Sequence, residues 1–142
     1  MSWLVLVHSG GVVPRLIQAS TWSHWNHAAF ELEDGRQLAA DSSRGVQIYD
    51  PDPGSEIARF SVKGLDLGAA VKIASSQVGK PYDWSGVIGI GLHRDWTEPD
   101  SWFCSELVAW ACQQAGTDLL RFDRLNRVTP GLVGLSPLLQ PA

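Results

Sequence analysis

The stretch HAAFELEDGRQLAAD, residues 27–41, decides the fold. The short runs HAAFEL and RQLAAD flank Asp34-Gly35, and an Asp-Gly pair between such runs is a strong local signal for a β-hairpin. His27 therefore opens a strand, and closing the hairpin brings residues 40–42 opposite it. The register is open by a residue: the tightest turn, with two loop residues, sets Ser42 across from His27 and turns Asp41 to the other face. Working outward, Trp3 to His8 is a Val- and Leu-rich run ending in Ser9-Gly10-Gly11, the punctuation of a buried strand entering a loop. Downstream, strands are expected at Gly45 to Tyr49 and at Ile57 to Val62, with the loop DPDPGS between them.

Helices follow the strands. Asp66 reads as an N-cap, and Leu67, Ala70, Val71, Ala74 and Val78 recur at helical spacing until Gly79 and Pro81 stop the run. A second helix is expected from near Ser101 to Gly116, capped by Asp100 or Ser101, with Cys104, Leu107, Val108, Ala111, Cys112 and Ala115 on one face. The segment PRLIQAST at residues 14–21 reads as a short helix started by Pro14. Gly86, Gly89 and Gly91 in PYDWSGVIGIGL reverse the order of a dinucleotide fingerprint and follow no strand, so they imply tight packing rather than a phosphate cradle. The fold class expected is α+β: a small antiparallel sheet or partial barrel packed against helices. A single domain spans residues 1–142, with no repeat or linker, and the tail after about residue 117 is poorly specified.

Composition narrows the function. The 142 residues are 44% hydrophobic and 18% charged, which is globular. The net charge is −4, and the eleven basic residues are scattered, so no nucleic-acid footprint is expected. The opening MSWLVLVHSGG lacks a basic n-region and a small-residue cleavage site, and no stretch approaches the roughly 20 apolar residues that span a bilayer. Cys104 and Cys112 are eight residues apart on one expected helix, about 12 Å at 1.5 Å rise per residue, too far for a disulfide. Two free thiols suit a reducing cytoplasm, the expected compartment.

The chemistry turns on Cys104. In the first turn of a helix, unpaired N–H groups and the helix dipole favour a thiolate. Periodicity by itself favours core packing, since free cysteine is among the most buried residues. Cys112, two turns on, has no such terminus and reads as core. A reactive thiol needs a base, and His8, His24, His27 and His93 are the candidates. A sheet would fix the rotation of His27, although such a histidine by itself is more often a surface or hydrogen-bonded core residue. Its orienting partner would be Asp41, with Ser42 and Glu31 as alternatives. His24 and His27 have an H-x2-H spacing to which Cys104 could add a sulfur, but without a HExxH, a CxxC pair or a third ligand no metal site is expected. For Trp22, Trp25, Trp84 and Trp102, an aromatic cleft and simple core packing stand level.

The order SHWNHAAF, GVQIY, VGKPYDWSG and DSWFCSELVAWACQQAG resembles the circularly permuted branch of the NlpC-type, papain-like cysteine hydrolases, which includes YiiX-like bacterial proteins and the lecithin retinol acyltransferase group. In that branch the histidine strand precedes the cysteine helix, as His27 precedes Cys104. The resemblance covers roughly residues 3–116 and is carried by G-x-x-Y-D-W and W-F-C-S-E-L. It implies Cys104 as nucleophile and His27 as general base and then acid, with Asp41, the candidate from the hairpin, as third residue if it turns toward His27 and a Cys-His dyad otherwise. Tyr82 would wall the site; Trp102 and Trp25 would join it in binding substrate under the aromatic-cleft reading. It departs from the family where a polar third residue is common, a dozen positions after the histidine, because that neighbourhood reads Leu38-Ala39-Ala40-Asp41. The function implied is a cysteine peptidase or amidase working through an acyl-enzyme on a cell-wall peptide or acyl ester, with no cofactor. The alternative is a weak or inactive binding module of the same fold, in a phage, prophage or cell-envelope setting.

Overall fold

A computed structural model describes residues 1–10, 24–83, 102–120 and 128–142. The expected helix at 14–21 and Gly86, Gly89 and Gly91 lie outside them. The hairpin forms as β2 (His27–Glu31) and β3 (Gln37–Asp41). Its loop is longer than the tightest turn: the Leu32 N–H donates to the Arg36 carbonyl at 2.8 Å, the Gly35 N–H donates back to the Leu32 carbonyl at 3.0 Å, and Gly35 takes φ 86°. Glu33-Asp34-Gly35 thus form a three-residue connection with glycine at its left-handed position. The register pairs Phe30 with Leu38 and Glu31 with Gln37, and continuing it sets Asp41, rather than Ser42, across from His27.

The other strands are β1 (Trp3–His8), β4 (Gly45–Tyr49), β5 (Glu56–Val62) and β6 (Leu139–Pro141). All pair antiparallel in one sheet, in the order β4-β3-β2-β1-β5-β6, open at β4 and β6 and not closed into a barrel. The helices are α1 (Leu67–Ser75), α2 (Cys104–Gln114) and α3 (Pro130–Gly134). Asp66 caps α1 as expected, its carboxylate accepting the Gly68 N–H at 2.9 Å. The C-terminal tail is built: Thr129 caps α3, and β6 adds an edge to β5.

Strand alternation sorts the side chains onto two faces. Leu4, Leu6, Ala28, Phe30, Leu38 and Ala40 face the helices and join Leu107, Val108 and Cys112 in the main core. Each fully buried leucine or phenylalanine there contributes about 1.5–3 kcal/mol. Val5, Val7, Ala29 and Ala39 form a second cluster on the other face with Trp3, Tyr49 and Ile57. One irregularity positions the site. β2 keeps β1, and β3 keeps β4, along their full lengths, but β2 and β3 pair with each other only beside their loop. The ladder opens toward His27 and Asp41, α2 packs on both strands, and the small Ala28 and Ala40 let it approach closely.

Candidate active site

Cys104 is the first residue of α2, three positions later than a helix starting near Ser101 would place it. Trp102 is occupied elsewhere: its N–H donates to the Pro81 carbonyl at 3.0 Å, and its own carbonyl accepts the Asp83 N–H at 2.9 Å. This bridge holds the chain extended, so Phe103 becomes the N-cap and offers no side-chain cap. Glu106 supplies what the cap lacks, accepting the Phe103 N–H from the third helical position. The sulfur of Cys104 is buried, and the N–H groups of Ala28, Ser105 and Cys104 itself point at it. Burial outweighs those donors and pushes the thiol up to about 12. The depressed value expected of a helix terminus is therefore absent from the resting structure. Burial pushes Cys112 up to about 12 as well, so the two thiols differ in surroundings rather than in resting ionisation: no N–H offsets the shift at Cys112.

His27 begins β2 next to Ala28, half-buried, with Nε2 2.8 Å from the Tyr49 hydroxyl. Burial lowers its pKa, the charges of Asp41 and Asp52 oppose that, and Arg44 reinforces it. Among the described residues no hydrogen bond joins Asp41 to the ring. Its Oδ2 accepts the Ser43 N–H at 3.1 Å and the Ser43 hydroxyl at 2.6 Å, and lies 3.6 Å from Arg44. Among the described residues no hydrogen bond joins Cys104 to His27. The sulfur sits with the helix-side core, whereas His27 follows the strand alternation toward Tyr49 on the other face. The two residues nevertheless meet one end of the sheet, where the ladder is open. Burial raises the Tyr49 and Tyr82 phenols far above their ordinary values, and the charge of Asp41 and, once ionised, of Cys104 adds to the shift of each.

The chain has peptidase-type relatives. Over 67 residues it is 39% identical to proteins named "Probable endopeptidase" from Mycobacterium tuberculosis and Mycobacterium bovis, a stretch that makes up 47% of this chain and 15% of each relative. This chain thus corresponds to only a small part of their length. No family model matches.

Tyr82 is buried, with its ring edge-on to Phe103 at 6.0 Å. Trp102 is half-buried between helices: its indole N–H donates to Gln77 at 3.1 Å and its ring lies 4.9 Å from Trp110. Trp25 packs on the main core near Gly134. Trp22, Trp84 and His93 lie outside the described residues. Glu31 is held away from His27 by a two-pronged bond to Arg59 at 2.7 and 2.9 Å. Among the described residues no group of three or more His, Cys, Asp or Glu side chains is placed to hold a metal. Nor is any helix there long and apolar enough to cross a membrane.

Tyr49 and Glu106 are features the sequence reading did not single out. Tyr49 reaches His27 diagonally across β3, from a position paired with Gln37, so only the full three-strand register reveals it. Glu106 is buried and is pushed up to about 7 by burial and by the charge of Asp83, itself buried. In a helix starting near Ser101 Glu106 falls in the second turn, and only the start at Cys104 brings it into the first. Chemically, the assembly offers a neutral buried thiol, a neutral imidazole held at one nitrogen, and backbone N–H groups at a helix start.

Proposed function

We propose that the chain is a cysteine peptidase or amidase of the permuted papain-like, NlpC-type kind, with Cys104 as nucleophile and His27 as base. The observation that carries the reading is Cys104 at the first position of α2, with its sulfur against the N–H of Ala28, one residue from His27. The peptidase-type relatives support the same class.

Because burial keeps thiol and imidazole neutral at rest, the thiol proton passes to His27 as the sulfur attacks the substrate carbonyl, and no preformed ion pair is needed. The developing oxyanion takes the Cys104 N–H, which points at the sulfur at rest and lies at a helix start. His27 then protonates the leaving amine as the C–N bond breaks, leaving a thioester. Water, deprotonated by His27, releases the acid and returns the thiol. Asp41 acts by charge, favouring the imidazolium that forms during both halves. Tyr82, Trp102 and Trp25 are the proposed substrate walls, with peptidoglycan-type peptides the first substrate class and acyl esters the second.

The test is labelling with a peptidyl electrophile, read by mass spectrometry in a Cys112→Ala background. Cys104 is expected to take the label, and His27→Gln to slow it by roughly 100-fold or more, the scale of general-base catalysis. Equal labelling of Cys104→Ala and its parent would remove the nucleophile assignment. A Cys104 that never labels would favour a binding module of the same fold.

A further inference from the structure

We infer that Tyr49 is the positioning residue for His27: its phenol oxygen accepts the Nε2–H and so fixes the tautomer that leaves Nδ1 as the basic nitrogen. The inference rests on the reading of His27 as the base for Cys104.

The geometry is specific. Nε2 and the Tyr49 hydroxyl are 2.8 Å apart, a full hydrogen bond, whereas Oδ2 of Asp41, the carboxylate expected to orient the ring, is turned to Ser43 and Arg44. A base must present a bare nitrogen to the thiol. With Nε2 engaged by the phenol, that nitrogen is Nδ1, and the ring proton therefore sits on Nε2. Burial keeps the Tyr49 phenol protonated, so it remains a neutral partner over the whole working range. Tyr49 is paired with Gln37, and its side chain must run along β3 to reach His27. The residue beside that path on the same face is Ala39, fully buried and packed with Tyr49 in the second cluster. A methyl there leaves room for the ring. Arg44 lies 4.4 Å from the ring centroid and pins it from the other side while also reaching Asp41 and Asp52. The orienting group thus comes from β4, one strand further from His27 than β3.

The experiment uses the full chain labelled with 15N-histidine. The His27 signals are assigned by their loss in His27→Gln, and those of His8 and His24 serve as internal references. Wild type is expected to show the Nε2-protonated tautomer above the His27 titration. Tyr49→Phe, which keeps the ring and its contact with Arg44, is expected to shift His27 toward the other tautomer. It should also slow Cys104 labelling roughly 10-fold, the scale of one lost hydrogen bond, and move its pH profile, with the His8 and His24 signals unchanged. A Tyr49→Phe protein with the wild-type tautomer and profile overturns the inference and leaves the Cys104–His27 pairing standing. If His27→Gln labels like wild type, the pairing itself falls, and that result is read in a different variant.

Discussion

Gly45 sits at φ 71°, and a Cβ there would stand 2.6 Å from the carbonyl oxygen of Lys80. That carbonyl accepts the Val46 N–H at 2.9 Å, and the Gly79 N–H donates to the Val46 carbonyl at 2.9 Å, so the backbone before Tyr82 is clamped to β4 at this glycine. Both the left-handed conformation and the clash oppose a side chain, and neither neighbour is a flexible tip that could move aside. The left-handed conformation by itself costs an alanine about 1–2 kcal/mol. Gly45→Ala is therefore expected to lose about 2 kcal/mol or more in urea unfolding. Labelling of Cys104 should fall with it, because the clamp holds the segment that carries Tyr82. A variant that keeps the wild-type midpoint would mean that residues 79–81 give way freely.

At the scale of the element, the start of α2 couples stability to pH. Glu106 accepts the Phe103 N–H, yet burial and the charge of Asp83 push it up to about 7 from an ordinary 4.5. The folded protein thus holds this proton more tightly than the unfolded chain does. The stabilisation is fully present below pH 4.5 and is lost as pH rises through about 7. At about 1.4 kcal/mol per unit, the loss comes to roughly 3–4 kcal/mol. Glu106→Gln keeps an acceptor for the Phe103 N–H without the ionisation, so urea midpoints at pH 5 and pH 8 should lie closer together in the variant than in wild type. An equal gap in both would assign the pH dependence to other groups. The same helix shows what could be read from residues alone. Its apolar face was legible from periodicity, as were the hairpin from Asp34-Gly35 and the start of α1 from Asp66. Its first residue was not. Ser101 and Asp100 look like caps in the sequence, whereas the bridge between Tyr82 and Trp102 makes Phe103 the N-cap, and that bridge joins residues twenty apart. Local signals carry caps and turns, and a backbone pairing of that span leaves none. Tyr49 was hidden for the same reason, since its hydroxyl meets His27 only after three strands are in register.

Over the whole molecule, the sheet must protect two edges, because an unpaired edge invites further strands. On one side residues 79–80 cover β4 through Val46. On the other, β6 is short and contains Pro141, which has no N–H to offer. What brings β6 to that edge is a pair of buried hydroxyls that tie the tail to the α2 region. Ser105, next to Cys104, donates to the Val128 carbonyl at 2.5 Å, and Ser136 donates to the Leu119 carbonyl at 2.6 Å. Ser136 also accepts the Leu138 N–H at 3.3 Å, and the Leu138 carbonyl accepts the Lys63 N–H at 2.8 Å, so one side chain links the end of α2's connection, the tail and the end of β5. Removing that hydroxyl leaves a buried carbonyl without its donor, which costs about 1–3 kcal/mol. Ser136→Ala is accordingly expected to lower the melting temperature by several degrees. β6 and β4 are the opposite edges of the sheet, with four strands between them, and perturbations at well-separated places with no shared partner add independently. Cys104 labelling should then stay at the wild-type rate below the melting transition, and Ser136→Ala with Gly45→Ala should lose the sum of their separate costs. A labelling rate that falls together with stability would show instead that the tail helps to hold the first turn of α2, with the neighbouring Ser105–Val128 bond as the route.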